Sequence, residues 1–487
     1  MALTWRAVAL AALGIVPVAL FPAPGTVVLW ALVVIAACVL DVAWAASPRQ
    51  VALQRSVPRA VRLGVPTRSE LVATNAARRR LRAVVRDAWP PSLVIDVPAR
   101  TAGGPVLARS ARHAVDLPPG ESARLRTPLR PTRRGDRPAG PVTIRSFGPL
   151  GLAARQASLP VPGSIRVLPE FASRRHLPSR LARLREMDGR AAVQVRGEGT
   201  EFDSLREYVV GDDVRSIDWR ATARRGDVVV RTWRPERDRR VVVVLDTGRT
   251  SAARIGDSDP AAGADPAPED PAGAGGTGAG GTGAGGTGAG GTGAEDGSTV
   301  GGTRLEASVE AALLLAALAD RAGDRVQVLA YDRALRARVA GASGPRLLPA
   351  LAEALAIVTP ALLETDWPGL VGQVRSRVSQ RALVVLLTTL DPASVETGLL
   401  PVVGRLTDAH QVVVASVADA DVARLRADRA SSAAVYDAAA AARADLERSA
   451  VSAVLRQQGV EVVEALPDDL APRLADTYLA LKAAGRL

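Results

Sequence analysis

Glu207, Asp212, Asp213 and Asp218 fall within one twelve-residue span, in the stretch "LREYVVGDDVRSIDWRATARRGDVVVRTW" from Leu205 to Trp233. Four carboxylates so close together could hold a divalent ion for hydrolysis. A covalent mechanism would need a nucleophile beside a base, and the stretch has no histidine or cysteine. Arginines 206, 215, 220, 224 and 225 interleave with the acids. Guanidinium–carboxylate forks are directional and can fix one segment against another. The stretch therefore reads as a charge-locked clamp in preference to a hydrolytic centre. Trp219 and Trp233 are expected as buried anchors and Tyr208 as a partly buried one.

The elements that must position this clamp fall into four parts. Residues 1–46 are apolar. Residues 47–168 alternate short apolar runs with Gly, Pro, Asn and Asp, the pattern of a β-sandwich of immunoglobulin-like type. Residues 169–240 hold an amphipathic helix over 178–188 and then the clamp. Residues 241–487 alternate buried strands ("RVVVVLD", "RVQVLAYD", "ALVVLLTTLD", "QVVVASVAD", "VEVVEAL") with helices, an α/β pattern of Rossmann-like kind. "DVVVRTW" is expected to pack beside "RRVVVVLD". Residues 256–302 interrupt the α/β part with "GGTGA" four times in tandem, a composition that cannot bury apolar area and predicts disorder. Neither a Walker-type loop nor a strand-coupled G-x-G-x-x-G occurs there.

Two apolar runs, Ala7–Phe21 and Thr26–Ala46, flank the turn "FPAPG". They predict a transmembrane helical hairpin, and a span needs about 20 apolar residues, with about 17 tolerable. Arg6 precedes the first run and Arg49, Arg55, Arg59, Arg62 and Arg68 follow the second. The positive-inside rule then places both ends, and the bulk of the chain, in the cytoplasm at the inner membrane. A secretory signal peptide lacks its A-x-A site after Phe21. A lipoprotein box at Ile35–Cys38 would lie behind a separate hydrophobic run.

The formal charge of +12 would suit nucleic acid, yet aromatics are only 3% of the 487 residues, too few for stacking platforms. The basic charge is nearly all arginine, Lys482 being the sole lysine. Nucleic-acid binding is not expected. Cys38 is the single cysteine, so neither an intrachain disulfide nor a cysteine zinc site can form. His113, His176 and His410 lack metal-ligand spacing.

The clamp carries a family resemblance. "LREY", "GD", "R-x-I-D-W" and "TAR" occur in the order of the bacterial domain-of-unknown-function family 58 (DUF58), at Leu205, Arg206, Glu207, Tyr208, Gly211, Asp212, Asp213, Arg215, Asp218, Trp219, Thr222, Ala223 and Arg224. The resemblance implies a von Willebrand factor A-like C-terminal domain. It also implies partnership with a MoxR-type AAA+ ATPase in chaperone-like assembly of protein complexes, with clients unnamed. It suggests a scaffold and no reaction. The rival readings are a metal-dependent hydrolase and an outward-facing, adhesion-type ligand binder.

Domains of von Willebrand A type often bind Mg²⁺ through D-x-S-x-S, a loop threonine and a late aspartate. Here "DTGRT" offers Asp246 and Thr250, with Gly248 where the first serine would stand. Thr365 in "ETDW" and Asp391 in "TTLD" resemble the other two ligands. Mg²⁺ demands near-ideal octahedral oxygen geometry, and Arg249 adds positive charge beside the set. A degenerate edge, with Asp246 capping a strand-to-helix turn, is the preferred expectation; a bound Mg²⁺ is the alternative.

Overall fold

The computed structural model describes residues 2–96, 107–108, 111–194, 201–210, 212–234, 239–255 and 302–487. Contacts divide it into two units: Met1–Ala172 with Leu348–Val358, and Ser173–Leu347 with Thr359–Leu487.

In the first unit, Pro24 stands at the first turn of a helix, α1, that runs over Pro24–Trp44, the position where a missing N–H costs nothing. Among the described residues it is the one helix long and apolar enough to cross a membrane. The expected second crossing is corrected here. The earlier run forms two shorter helices, Trp5–Ala12 and Ile15–Leu20, broken at Leu13–Gly14. Neither helix alone, at about 12 and about 9 Å, approaches about 30 Å of hydrocarbon. Gly14 is needed there, because a Cβ on it would stand 2.3 Å from Trp30 Cδ1.

The foot of α1 is tied to the β-structure beside it. Asp41 is buried, and its carboxylate accepts the backbone N–H groups of Leu150, Leu152 and Ala153 at 2.8, 2.7 and 3.0 Å. Arg79 Nη1 donates to the Ala43 carbonyl at 2.7 Å. Beyond this foot, two five-stranded sheets form. One contains Val51–Ser56, Thr67–Asn75 and Ser122–Pro131; the other contains Leu81–Asp87, Ala111–Leu117, Val142–Phe147 and Ala153–Leu159. Alternating inward residues of both, among them Leu71, Leu125, Leu81, Val85 and Ile144, share one core, so the sheets face each other as the period-2 pattern predicts. Arg55 and Asp87 are paired at 2.5 Å with no side-chain exposure, and Trp89 donates to Asp87 at 3.0 Å beneath the Arg55 guanidinium. Arg55 Nη1 also donates to the Val161 carbonyl, which offsets much of the cost of burying the pair, while its Nε is left without a hydrogen-bond partner.

The second unit is built on six strands: Arg240–Asp246 (β1), Arg325–Tyr331 (β2), Leu335–Val339 (β3), Leu383–Leu387 (β4), Gln411–Val417 (β5) and Glu461–Ala465 (β6). Their order is β3-β2-β1-β4-β5-β6, all parallel except the antiparallel edge strand β3. The reversal of order beside β1 opens a crevice at the strands' carboxyl ends. Strand β1 is central and buried on both faces, which explains its unbroken apolar run. Val242, Val244, Val384, Leu386, Val412 and Val414 share a core with the helix Trp367–Arg377 (α2) and the helix Leu400–Thr407. The helices Arg304–Arg321 (α3) and Pro467–Ala483 (α4) pack on each other and on the sheet. Lys482 in α4 is 7% exposed; it bonds Asp324 at 2.7 Å and the Tyr478 hydroxyl at 3.1 Å.

Two expectations are corrected here as well. The clamp forms its own two-stranded sheet, Glu201–Glu207 with Val229–Arg234, and does not join β1. The amphipathic helix before it is longer than predicted, Leu177–Gln194. The insert lies outside the described residues except for Gly302, which pairs with Ile255.

Candidate functional site

In the clamp, Leu205, Arg206 and Glu207 lie on the first strand, opposite Arg231, Val230 and Val229. Tyr208 continues the hairpin through its N–H to the Val228 carbonyl, and its ring is half-buried as expected. Arg206 Nη2 reaches Asp212 at 2.5 Å, and Asp212 also accepts the Val209 N–H at 3.0 Å, closing the turn. Asp213 caps the next turn by accepting Arg215 N–H. Asp218 is the N-cap of the short helix Trp219–Arg225, accepting the N–H groups of Arg220 and Ala221 at 3.0 Å each. Its other oxygen takes Arg231, with Nη2 at 2.7 Å and Nε at 2.8 Å. Thr222 Oγ1 accepts the Val229 N–H at 3.1 Å, and Gly226 ends the helix at φ +86°.

Asp212, Asp213 and Asp218 are thus engaged, whereas the Glu207 side chain is exposed and has no hydrogen bond or ion pair among the described residues. The Ala221 amide, then Arg231, hold the Asp218 carboxyl below the usual carboxylate range. Asp212 raises the Arg206 guanidinium, mainly through their hydrogen bond. Arg231 was missed in the sequence, because it lies thirteen residues downstream of its acid on the returning strand. The guanidiniums of Arg215 and Arg224 have no hydrogen bond or ion pair among the described residues, and Ala223 is exposed. Gly211 lies outside the described residues, as does the side chain of Trp233.

Trp219 is not an anchor. It is 65% exposed, and with it Val210 at 94%, Val214 at 62% and Val209 at 61%. A helix start and two turns cannot bury these side chains against a two-stranded sheet, so the clamp offers its apolar residues outward.

The second candidate is the carboxyl edge of the parallel sheet. Asp246 is 4% exposed. Thr365 Oγ1 donates to its Oδ1 at 2.5 Å, Gly248 N–H to the same oxygen at 2.8 Å, and Thr388 Oγ1 to its Oδ2 at 2.6 Å. Burial pushes the Asp246 carboxyl up, against the pull of these three donors. On the neighbouring strand end, Asp332 takes Thr247 Oγ1, the Arg333 and Ala334 amides, and Arg336 Nε at 2.7 Å. Its own burial opposes ionisation, but Arg336 and the two amides outweigh it and hold Asp332 low.

The structure brings together Asp246 and Thr365 of the four sequence candidates, and adds Thr388. Asp391 instead caps its own helix, accepting the Ser394 N–H at 3.2 Å. Thr250 makes no side-chain hydrogen bond among the described residues. These donors do not fit octahedral Mg²⁺. Both Asp246 oxygens already hold protein donors. A Cβ on Gly248 would lie 2.2 Å from Thr365 Oγ1, 3.0 Å from Asp246 Oδ1 and 3.1 Å from the Leu363 carbonyl, so a serine has no room. Among the described residues no three His, Cys, Asp or Glu side chains are grouped to hold a metal ion.

Comparison with known proteins bears on the clamp. Residues 204–258 match the model of the family described as Protein of unknown function DUF58. The match supports the DUF58 family. It covers the second half of the first clamp strand, the turns, the capped helix and β1, so the DUF58 segment includes both ion pairs and Asp246. No curated protein matches the chain. Among solved structures, the chain is similar to the CARDB domain of a protein from Pyrococcus furiosus in complex with di-metal ions, at 13% identity over 24% of this chain and 87% of that one, TM-score 0.16. A solution NMR structure of the same domain gives 14% identity, 23% and 94% coverage, and a TM-score of 0.15. A GH20 exo-β-N-acetylglucosaminidase from Vibrio harveyi in complex with N-acetylglucosamine gives 12% identity, 25% and 19% coverage, and a TM-score of 0.17. At such TM-scores these likenesses carry no argument.

Proposed function

We propose that the chain is a membrane-tethered adaptor whose DUF58 segment docks a protein partner. One observation carries this reading: Trp219, Val209, Val210 and Val214 face solvent on a frame fixed by the Arg206–Asp212 and Arg231–Asp218 pairs. Exposed aromatic and apolar side chains held rigidly are what an interface core uses, because little entropy is lost when they dock. The engagement of Asp212, Asp213 and Asp218 and the missing nucleophile argue against hydrolysis.

By the resemblance, the partner is a MoxR-type AAA+ ATPase and the task is chaperone-like assembly of protein complexes. The sheet order, with its single antiparallel edge strand, supports a von Willebrand A-like, Rossmann-like domain without a resident metal, and the shared core of the two five-stranded sheets supports an immunoglobulin-like sandwich. For the membrane part, Trp30 Nε1 donates to the Leu10 carbonyl at 3.3 Å, and Trp5 and Trp44 are exposed near the open ends. These features support α1 as a single crossing with interfacial aromatic anchors and the two shorter helices beside it, and Arg49 and Arg59 after α1 support a cytoplasmic orientation for the bulk of the chain.

The test is chemical crosslinking in native membranes with identification of the captured proteins by mass spectrometry. An AAA+ ATPase is expected with wild type and at least five-fold depleted with the double variant Trp219→Ser, Val210→Ser. Recovery of no AAA+ ATPase by wild type, or equal recovery by the variant, overturns the reading.

A further inference from the structure

A cavity of about 800 Å³ opens at the carboxyl edge of the second unit, within the size range of sites that enclose small ligands or peptide side chains. It is separate from the exposed face of the DUF58 segment and takes no part in the Asp246 network beyond Thr365. Its wall is unusual. After β4 the chain runs through a π-helical turn at Val395–Leu399, and such turns concentrate at functional sites. Gly398 seats this turn against the buried ring of Trp367; a Cβ there would stand 2.3 Å from Trp367 Cδ1. Thr397 and Pro401, on and just after this turn, line the cavity together with Trp367.

The charges at the mouth are unequal in their commitments. Arg249 is paired with Glu364 at 2.7 Å. Asp366 caps α2 by accepting the Gly369 N–H at 3.0 Å. Arg333 gives its Nε to the Glu364 carbonyl at 3.2 Å, and its terminal nitrogens have no ion pair among the described residues. On the loop that supplies Glu364 and Thr365, Leu362 is 78% and Leu363 47% exposed. Apolar wall residues (Trp367, Pro368, Pro401 and Val402) set among hydroxyls, one uncommitted guanidinium, and two outward leucines on the adjoining loop describe a ligand with apolar side chains and one carboxylate.

We infer that this cavity binds an extended apolar peptide segment through its carboxylate, held by Arg333, with Trp367 and Pro401 receiving the adjoining side chain. The inference goes beyond the adaptor reading, since it holds whatever partner docks at Trp219, and it supplies a place for a client segment. The carboxylate belongs to a chain terminus or to an acidic side chain; both present the same group to the guanidinium.

The full chain in lipid nanodiscs, with no ATPase present, is titrated by fluorescence anisotropy with three labelled pentapeptides. The first is Ala-Leu-Val-Ala-Leu with a free C-terminus, the second is its amide, and the third is the amide of Ala-Leu-Glu-Ala-Leu. At least one carboxylate peptide is expected to bind five-fold or more tightly than the acid-free amide, and the pair of carboxylate peptides tells which source is used. Arg333→Gln should erase that preference and Leu362→Ser should weaken every peptide, while Arg338→Gln leaves binding unchanged. Equal binding of the acid-free amide, no binding of any peptide, or a preference that survives Arg333→Gln overturns the inference. Because the ATPase is absent, failure here leaves the crosslinking result at Trp219 standing on its own.

Discussion

Gly248→Ser tests the carboxyl edge most sharply, because it restores the missing hydroxyl of the D-x-S-x-S pattern at the position where the structure has no room for it. The added Cβ would lie 2.2 Å from Thr365 Oγ1, where an unstrained contact is about 3.5 Å. Thr365 must move by about 1 Å, which breaks its bond to Asp246, and a hydrogen bond to a charged group contributes about 1.5–3 kcal/mol. Crowding against Asp246 and the Leu363 carbonyl adds about 1–3 kcal/mol, as small-to-large changes in packed sites do. Together these give a loss of about 2.5–6 kcal/mol, and at about 2–4 °C per kcal/mol the melting temperature falls by about 5–24 °C. The assay is thermal unfolding of the full chain in nanodiscs, with and without 10 mM Mg²⁺ as the added ion. The expected variant is destabilised and indifferent to Mg²⁺. A variant that melts with wild type, or one that Mg²⁺ raises by about 5 °C or more through binding linkage, would refute the crowding argument and make the edge a metal site short of one oxygen.

Replacing Asp246 by Asn removes a carboxyl whose folded pKa burial has raised. Wild type then holds its proton-linked stability below the unfolded value near 4 and loses it as pH rises through the raised value. Urea unfolding should show the variant gaining on wild type between pH 4.5 and pH 7.5; a constant difference refutes the shift. Lys482→Met leaves Asp324 buried with its charge unpaired, and breaking such a pair costs about 3–5 kcal/mol. Lys482→Arg is not a conservative rescue in that enclosed position, and both should unfold at lower urea. Asp218→Asn keeps the cap but loses Arg231, so amide exchange at Val229 and Ala221 should quicken while the global melting temperature holds; unchanged exchange sinks the clamp. Because the Asp218 carboxyl is held low, its contribution is present above the unfolded value near 4 and fades as pH falls below it.

Several of these contacts were legible in the sequence and others were not, for physical reasons. The apolar run ending at Asp246 predicted a buried parallel strand because burial on both faces forbids alternation. The period-2 runs before residue 168 predicted sheets sharing a core. The clamp's acids and arginines predicted ion pairs but not their partners, since pairing follows strand register, and Arg231 is opposite Leu205 only once the hairpin has closed. Trp219 was misplaced because tryptophan is buried on average, and nothing in the letters reveals that its helix has no core to enter. Thr388 escaped notice because a threonine at a strand end carries no signal until Asp246 lies across from it. Of the two apolar runs at the start, Ala7–Phe21 is already short for a span in the sequence; that Gly14 breaks it while Pro24 begins the other is seen only in the fold.

Asp41 has a consequence for the bilayer itself. A carboxylate committed to three amides of the Leu150–Ala153 loop cannot be drawn into hydrocarbon without unmaking that loop. For a chain inserted as proposed, the lipid-embedded part of α1 therefore ends at Leu40, and residues 24–40 reach about 25 Å at 1.5 Å per residue. That is short of an average bilayer by about 5 Å, a mismatch the membrane absorbs by thinning. The depth of the whole β-unit is set by one acid, and thin membranes are where this anchor sits with least strain.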